Sequence, residues 1–212
     1  DLHYLSSNSK ELKNRAPVRV HVGTREIIGR IVLMESDTVR PGDDAFVQLV
    51  LQEPAALWTG DRYIIRSYSP ITTIGGGAVL NNAPRKRKRT AQKDRNSNHQ
   101  AFSIYQNGSF EERMLLFLKE SGPDGLTADQ LSTRLGLFGK KLQKQLQAPI
   151  SSGKILVIES DRQRLLAAPI LDRITTTILN VLQQYHEQYP LKTGLAKEEL
   201  RSRLQPAVDP KL

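Results

Sequence analysis

Residues 60–80 read GDRYIIRSYSPITTIGGGAVL, a stretch that joins an alternating pattern to a run of three glycines. Tyr63 and Ile65 alternate with Ile64 and Arg66, which is the period-two pattern of a half-buried strand. Consecutive glycines beside a strand are typical of a bend or a bulge where one backbone approaches another closely. The stretch therefore predicts a strand followed by a close contact between two backbones.

The same glycines also resemble those of phosphate-binding loops. A P-loop places a lysine and a hydroxyl side chain after its last glycine, because these groups hold the phosphates and Mg²⁺. Here Ala78, Val79 and Leu80 follow the glycines, and Leu80 also occupies the last glycine position of the dinucleotide motif. We therefore expect no nucleotide cofactor at this run, and we favour a packing role.

Strand patterns continue on both sides of this stretch. Val18, Val20 and Val22 alternate with polar residues, and a turn at residues 41–43 precedes another strand pattern. The predicted strands lie around Val18–Val22, Ile27–Met34, Ala45–Leu51, Arg62–Arg66 and Ala78–Leu80. Many short strands with regular turn signals are typical of a small antiparallel barrel. We predict such a β-barrel over residues 1–82.

The charge of the chain is concentrated after the barrel. The 212 residues carry a formal charge of +9, and residues 83–108 contain seven Lys or Arg residues but only one acid. These cations are Arg85, Lys86, Arg87, Lys88, Arg89, Lys93 and Arg95. Such a run is either a solvated, flexible tract or a contact with nucleic-acid phosphates. We predict a basic linker over residues 83–108.

Beyond residue 108 the hydrophobic period changes to 3.6, which indicates helices. Capping boxes at Ser109/Glu112 and Thr127/Gln130 predict two helix starts. Two β-rich runs follow at Ile155–Ile158 and Arg164–Ala167. Three helices and a two-stranded ribbon describe a winged-helix domain over residues 109–169.

The third of these helices is the predicted recognition helix, at about Phe138–Ser151. Its helical period directs one set of side chains inward and leaves another set outward. The set predicted to face inward is Phe138, Leu142 and Leu146, and the set predicted to face outward is Lys140, Lys141 and Lys144.

An internal repeat indicates a second module of the same kind. The sequence GLTADQLSTRL begins at Gly125, and GLAKEELRSRL begins at Gly194, 69 residues later. Similarity at a fixed offset is typical of tandem modules. We predict that residues 170–212 begin a second winged-helix domain, which we expect to be truncated. The predicted fold class is therefore mixed, β then α/β.

Composition excludes several other classes of protein. The chain has no cysteine, which excludes disulfides and thiolate metal sites, and its four histidines are scattered. It shows no apolar run long enough for a membrane span and no signal peptide, so we expect a cytoplasmic protein without membrane contact. No paired carboxylates or catalytic triad stand out. We expect no catalytic, cofactor-binding or metal-binding residues.

The stretch RPGDDAFVQLVLQEPAALWTGDRYIIRSYSPITTIGGGAVL, residues 40–80, resembles the third, barrel domain of elongation-factor-Tu-type translation factors. The resemblance is carried by Pro41-Gly42-Asp43, Pro54, Arg62–Arg66 and Gly75–Gly77 in that order. It is closer still to bacterial selenocysteine-specific elongation factors, in which a basic segment like APRKRKR and tandem winged helices follow the barrel. The chain thus resembles a C-terminal fragment of such a factor.

This resemblance implies that the chain binds RNA and is not an enzyme. In the family, the third barrel contacts the aminoacyl-tRNA, here the selenocysteyl-tRNA, and the winged helices extend toward a messenger RNA hairpin on the ribosome. GTP and Mg²⁺ would bind in a domain absent from this sequence, and we expect a monomer. The implied RNA-binding residues are Arg66, Gly75, Gly76, Gly77, Arg85, Lys86, Arg87, Lys88 and Arg89.

For the winged helix, the resemblance does not by itself imply direct contact with the messenger RNA hairpin. The family holds the messenger hairpin in the last module of the array, which this sequence lacks. The set Lys140, Lys141, Lys144 and Arg162 is therefore either a solvated surface, which we favour, or an additional RNA contact.

A different class of protein also fits part of the pattern. A winged-helix DNA-binding regulator with a β-barrel sensor domain would use base-reading side chains on its recognition helix, as Gln143, Gln145 and Gln147 would allow. This alternative does not explain the barrel resemblance or the repeat.

Overall fold

The computed structural model describes residues 1–84, 92–159 and 164–204. The chain divides into two compact units, Asp1–Ser109 and Phe110–Leu212. Each unit has its own core, and each is described by itself below.

The first unit contains nine strands within the described residues. They are β1 (Leu2–Tyr4), β2 (Leu12–Lys13), β3 (Pro17–Val22), β4 (Arg25–Leu33), β5 (Thr38–Val39), β6 (Asp44–Ala45), β7 (Val47–Leu51), β8 (Arg62–Ser67) and β9 (Thr73–Ala78). Seven of them form one antiparallel sheet in the order β6-β1-β9-β8-β3-β4-β7, and β2 pairs separately with β5.

This sheet closes on itself. Strands β6 and β7 lie at opposite ends of the sheet order, yet only Phe46 separates them in the chain. The N–H of Met34, just after β4, also donates to the carbonyl oxygen of Phe46 at 3.1 Å. The continuous stretch Asp44–Leu51 therefore pairs with β1 through β6 and with β4 through β7, which joins the two ends of the sheet order. The predicted antiparallel barrel is confirmed.

The core of the barrel follows the predicted alternation. Val18 and Val20 of β3 and Tyr63 and Ile65 of β8 are buried, whereas Ile64 between them is half exposed. The inward residues of neighbouring strands are paired in register, Val20 with Ile65. Period-two hydrophobicity thus decides which face of each strand packs inside.

The glycine run lies inside a strand. The sequence predicted a bend at Gly75–Gly77 followed by a strand at Ala78–Leu80, but these glycines form the middle of β9, which ends at Ala78. A Cβ atom at Gly75 would lie 2.6 Å from the carbonyl oxygen of His3 in β1, and one at Gly76 would lie 2.6 Å from that of Tyr63 in β8. Glycine is needed because both neighbouring backbones come this close. The pairing with β8 also shifts register next to the glycines, so a bulge does occur there.

A helix follows the barrel where a linker was expected. Helix α1 (Gln92–Asn107) lies within the predicted linker, residues 83–108. Its side chains Ala101 and Tyr105 are buried, and the ring of Phe102 lies 5.1 Å from that of Phe46. The expectation of an unstructured linker was therefore wrong for this part, because a few apolar side chains in a polar sequence suffice to dock the helix.

The second unit contains α2 (Phe110–Ser121), a short 3-10 helix (Gly122–Asp124), β10 (Leu126–Thr127), α3 (Ala128–Leu135), α4 (Lys140–Ser151), β11 (Ile155–Glu159), β12 (Arg164–Ala167), α5 (Ala168–Gln188) and α6 (Lys197–Arg203). Strands β10, β12 and β11 form a small antiparallel sheet beside helices α2 to α4. This arrangement confirms the predicted winged helix. Helices α5 and α6 match the predicted start of a second module.

Local signals fix the helix starts in this unit. The hydroxyl of Thr127 accepts from the N–H of Gln130 at 3.2 Å, and the Gln130 side chain accepts from the Thr127 N–H at 2.9 Å. The predicted capping box is thus confirmed. Helix α4 begins later than expected, because Gly139 at its start has a positive φ of 58°. Phe138 lies before this glycine and is 53% exposed, so its predicted inward position was wrong.

Substitution of Gly75 tests the close approach of the strands. We expect Gly75→Ala to destabilise the first unit by about 3 kcal/mol, because β1 must move away from β9. Urea unfolding followed by Trp58, the only tryptophan of the chain, measures this effect. Gly194→Ala is the control, since its Cβ meets nothing within 4 Å. Equal stability of both variants would contradict the role assigned to Gly75.

Burial of Tyr63 predicts a loss of barrel stability at high pH. Its hydroxyl donates to the main-chain oxygen of Asp1 at 2.5 Å, and burial raises the pKa of Tyr63 above the ordinary 10.0. The folded state therefore keeps a proton that the unfolded state loses, so the free energy of unfolding falls as pH rises above about 10.

Urea titrations between pH 8 and 11 measure this slope. We expect Tyr63→Phe to reduce it by about one proton, or about 1.4 kcal/mol per pH unit. Tyr68→Phe is the matched control because Tyr68 is 47% exposed. An unchanged slope in Tyr63→Phe would show that another group causes the alkaline loss.

Candidate nucleic-acid interface

The outer face of β8 carries two arginines that have no partner among the described residues. Because Tyr63 and Ile65 point into the barrel, Arg62, Ile64 and Arg66 point out of it. Arg62 and Arg66 are exposed, and neither makes an ion pair or side-chain hydrogen bond with any residue that the structure describes. Within the described part of the chain, this face therefore presents two exposed guanidinium groups that no carboxylate pairs with.

A third arginine lies directly across from Arg66. Arg19 of β3 is the register partner of Arg66, a pairing of like charges that is unfavourable by itself. Arg19 is stabilised by Glu26, whose Oε1 lies 2.5 Å from Nη1, and by the ring of Tyr68, 5.3 Å from its guanidinium carbon. The charge of Arg19 is thus balanced, whereas that of Arg66 is not.

The loop between β8 and β9 presents an aromatic ring beside these arginines. The Ser67 N–H donates to the Thr72 oxygen at 2.9 Å, and the Thr72 N–H donates to the Ser67 hydroxyl at 3.0 Å. These bonds close the loop and leave Tyr68 and Ile71 about half exposed. An exposed ring beside arginine is a surface on which a base or a ribose can stack.

The three glycines lie next to this face. Gly76 is the register partner of His3 on one side and of the outward-facing Ile64 on the other, so the surface between these two side chains is flat. Its main chain is paired with a strand on each side, and Gly75 is buried. The structure therefore assigns these glycines a packing role, and a direct contact with RNA stays a prediction.

Histidine–carboxylate pairs border the same cross-strand row. His3 Nδ1 lies 2.7 Å from Asp44 Oδ1, and His21 Nε2 lies 3.2 Å from Glu26 Oε2. Within this row, the two carboxylates lie beside the histidines and neither pairs with Arg62 or Arg66.

The basic run of Arg85, Lys86, Arg87, Lys88 and Arg89 lies outside the described residues, as does Arg162. The described residues nearest to the run end at Pro84 before it and resume at Gln92 after it. The side chain of Asn82 donates to the Leu57 oxygen at 2.9 Å, and α1 packs on Phe46. The described segments before and after the run therefore both pack within the first unit.

The lysines of the winged helix are exposed as predicted. Lys140, Lys141 and Lys144 of α4 point to solvent, whereas Leu142 and Leu146 are buried. No ion pair or side-chain hydrogen bond joins these lysines to another described residue.

The described residues show neither a metal cluster nor a membrane-spanning helix. Within residues 1–84, 92–159 and 164–204, no three His, Asp or Glu side chains come together as a metal site. In the same ranges no helix has the length and apolar character needed to cross a membrane.

Sequence reasoning missed some residues of this interface. Arg62 has the same alternation as Arg66, so the period-two pattern already indicated its outward position. The pairing of Arg19 with Arg66 and the stacking of Tyr68 on Arg19 required the strand register, which no short-range pattern gives.

Two family models match the chain, and together they cover more than half of it. Residues 2–86 match the β-barrel domain of the selenocysteine-specific elongation factor. Residues 179–212 match the winged helix of elongation factor SelB. The two models match regions that lie in the barrel and in the predicted second winged-helix module.

Curated relatives match nearly the whole chain. The selenocysteine-specific elongation factor of Desulfomicrobium baculatum is 34% identical over 210 residues, which is 98% of this chain and 32% of that protein. The corresponding protein of Escherichia coli is 27% identical over 196 residues, or 91% of this chain and 28% of that protein. The chain spans about a third of the length of these relatives.

A solved structure has the same fold. A crystal structure of the bacterial selenocysteine-specific elongation factor EF-Sec aligns with a TM-score of 0.66 over 95% of this chain and 29% of that one. The sequences are 19% identical in this comparison, so the likeness concerns the fold.

Proposed function

The chain belongs to the selenocysteine-specific elongation factor family, and from this premise we propose that its barrel binds selenocysteyl-tRNA. In this proposal the winged helices extend from the tRNA-binding part toward a messenger RNA hairpin. The observation that carries the proposal is the outer face of β8, where Arg62 and Arg66 lack partners among the described residues.

The proposed contact positions the tRNA without reading its sequence. Arginine binds phosphate oxygens in a bidentate manner, and phosphate contacts fix the register of an RNA without distinguishing bases. Tyr68, held over Arg19 at 5.3 Å, adds a stacking surface for a ribose or a base. Shape and charge on a rigid sheet are sufficient for such recognition.

The remaining partners follow from the family. We propose that GTP and Mg²⁺ bind in a part of the factor that this chain does not span, and that this chain itself has no catalytic role. The ribosome is the larger assembly in which the tRNA and the messenger RNA meet, so we propose that the protein acts in the cytoplasm. We also propose that it acts as a monomer. The match of residues 2–86 to an elongation-factor barrel favours this function over a DNA-binding regulator.

Neutral variants of β8 test the tRNA contact. We expect Arg62→Gln with Arg66→Gln to weaken tRNA binding about tenfold and to lower the salt slope by about 1.8, since each lost phosphate contact contributes about 0.9. Fluorescence anisotropy with a labelled selenocysteine tRNA from low to moderate salt measures both quantities.

The control for charge alone is Arg30→Gln with Arg40→Gln. These exposed arginines lie on β4 and after β5, so the double variant loses the same charge at other places on the first unit. We expect its salt slope to match that of the unaltered chain. An equal loss of affinity in both double variants would mean that net charge, not the β8 face, determines binding.

The basic run gives a second, independent test. We expect the replacement of all five cations Arg85–Arg89 by serine to lower the salt slope of tRNA binding by about 2 to 3, because not every side chain reaches a phosphate at once. Circular dichroism and melting are expected to stay nearly unchanged. Overlapping salt slopes with the same tRNA would remove the run from the RNA-binding surface.

A further inference from the structure

Helix α4 of the winged helix presents one polar face to solvent. Leu142 and Leu146 hold its other face in the core of the module, where both are buried. Four residues at helical spacing form an exposed stripe: Lys140, Gln143, Lys144 and Gln147. Lys141 is exposed beside the start of the stripe. We call these five residues the α4 stripe.

The positive charge of the α4 stripe is not neutralised within the described part of the chain. Helix α4 has no acidic residue in its first turn, and its sequence KKLQKQLQAPIS contains none at all. The three lysines make no ion pair with a described residue. By contrast, Lys154 of the same module pairs with Glu111 at 2.6 Å. A lysine of this module is thus neutralised where a carboxylate lies within reach, whereas the three lysines of α4 have no such carboxylate among the described residues.

Two of these lysines also occupy an unfavourable position. Lys140 and Lys141 form the start of α4, where the helix dipole is positive and acidic side chains are normally stabilising. Local rules of this kind are broken mainly where a side chain serves function. The α4 stripe therefore decreases the stability of the module while it increases the local positive potential.

We propose that the α4 stripe binds the phosphate backbone of double-stranded RNA. The choice of RNA over other polyanions rests on the proposed function, whereas the anionic character of the partner rests on the charge of the stripe itself. Lys140 and Lys144 lie one turn apart, about 6 Å along the axis, and contact successive phosphates on one strand. The module is then a second RNA contact in addition to extending toward the messenger RNA hairpin.

The glutamines of the stripe offer contacts that an RNA helix can accept, and the DNA duplex in the test below separates this use from the reading of DNA bases. Gln143 and Gln147 lie between and beyond the lysines, and each offers both a donor and an acceptor. Such groups bind the 2′-hydroxyls that line the shallow groove of an RNA helix and are absent from DNA. A membrane surface is less suitable, because the apolar residues Leu142 and Leu146 are buried in the module and unavailable for insertion.

The test compares two triple variants of the full chain. Lys140→Gln, Lys141→Gln and Lys144→Gln remove the charge of the stripe, and glutamine keeps a helix propensity similar to lysine. Lys10→Gln, Lys13→Gln and Lys119→Gln remove three exposed charges elsewhere as a control. Binding to a labelled 20-base-pair RNA duplex of arbitrary sequence, and to the DNA duplex of the same sequence, is measured by anisotropy across salt.

We expect the stripe variant to bind the RNA duplex at least tenfold more weakly, with a salt slope lower by about 2 to 3, and the control to resemble the unaltered chain. The melting temperature of the stripe variant should not fall, because its lost charges opposed the helix dipole. Equal slopes for both variants would overturn the proposal. DNA bound as tightly as RNA would overturn the assignment to RNA and point to a DNA-binding module.

The outcome is separable from that of the barrel. Because both surfaces contact phosphates without reading sequence, the stripe variant and the β8 variant are each measured with both the duplex and the tRNA. The stripe is tested by the loss of duplex binding relative to its lysine control, and β8 is tested by the loss of tRNA binding relative to its arginine control. Loss of duplex binding in the stripe variant alongside unaltered tRNA binding in the β8 variants would support the stripe and contradict the proposed barrel function. The reverse result would contradict the stripe alone.

Discussion

The barrel depends on how closely β9 approaches the strands on both of its sides. The carbonyl oxygens of His3 in β1 and Tyr63 in β8 occupy the space that Cβ atoms would need at Gly75 and Gly76. Only this approach allows β1 to pair with β9, and β1 in turn pairs with β6 to close the sheet. The three glycines thus contribute no side chains to the core but allow the barrel to close. Most of the buried side chains of the core come from the other strands.

Closure also determines what the barrel shows to solvent. Because β8 lies between β9 and β3, its alternation places Arg62 and Arg66 on a rigid outer face. Register then sets Arg66 beside Arg19, and Glu26 neutralises only one of the two charges. That Arg66 has no partner among the described residues is therefore a consequence of strand order, and in the proposed function a bound phosphate would offset the cost of the like-charge pairing.

Short-range patterns predicted the elements that short-range physics controls. Alternation gave the inward residues of β3 and β8, and the capping box at Thr127 gave the start of α3. Helix α1 was missed because it is stabilised by distant contacts, the ring of Phe102 on Phe46 and the hydrogen bond between His99 Nδ1 and Glu35 Oε1 at 2.5 Å. The outward position of Arg66 followed from alternation, but its pairing with Arg19 required the three-dimensional register.

The two cationic surfaces share a physical design although they differ in chemistry. On β8 and on α4, charged side chains without a partner among the described residues project from one face of the element. The opposite face is buried, and it carries Tyr63 and Ile65 on β8 and Leu142 and Leu146 on α4. A fixed backbone lowers the entropy lost when each side chain is ordered on a ligand. Under the two proposals, a few cations would then suffice to hold phosphates in place, with the barrel and the winged helix each binding a different part of an RNA assembly.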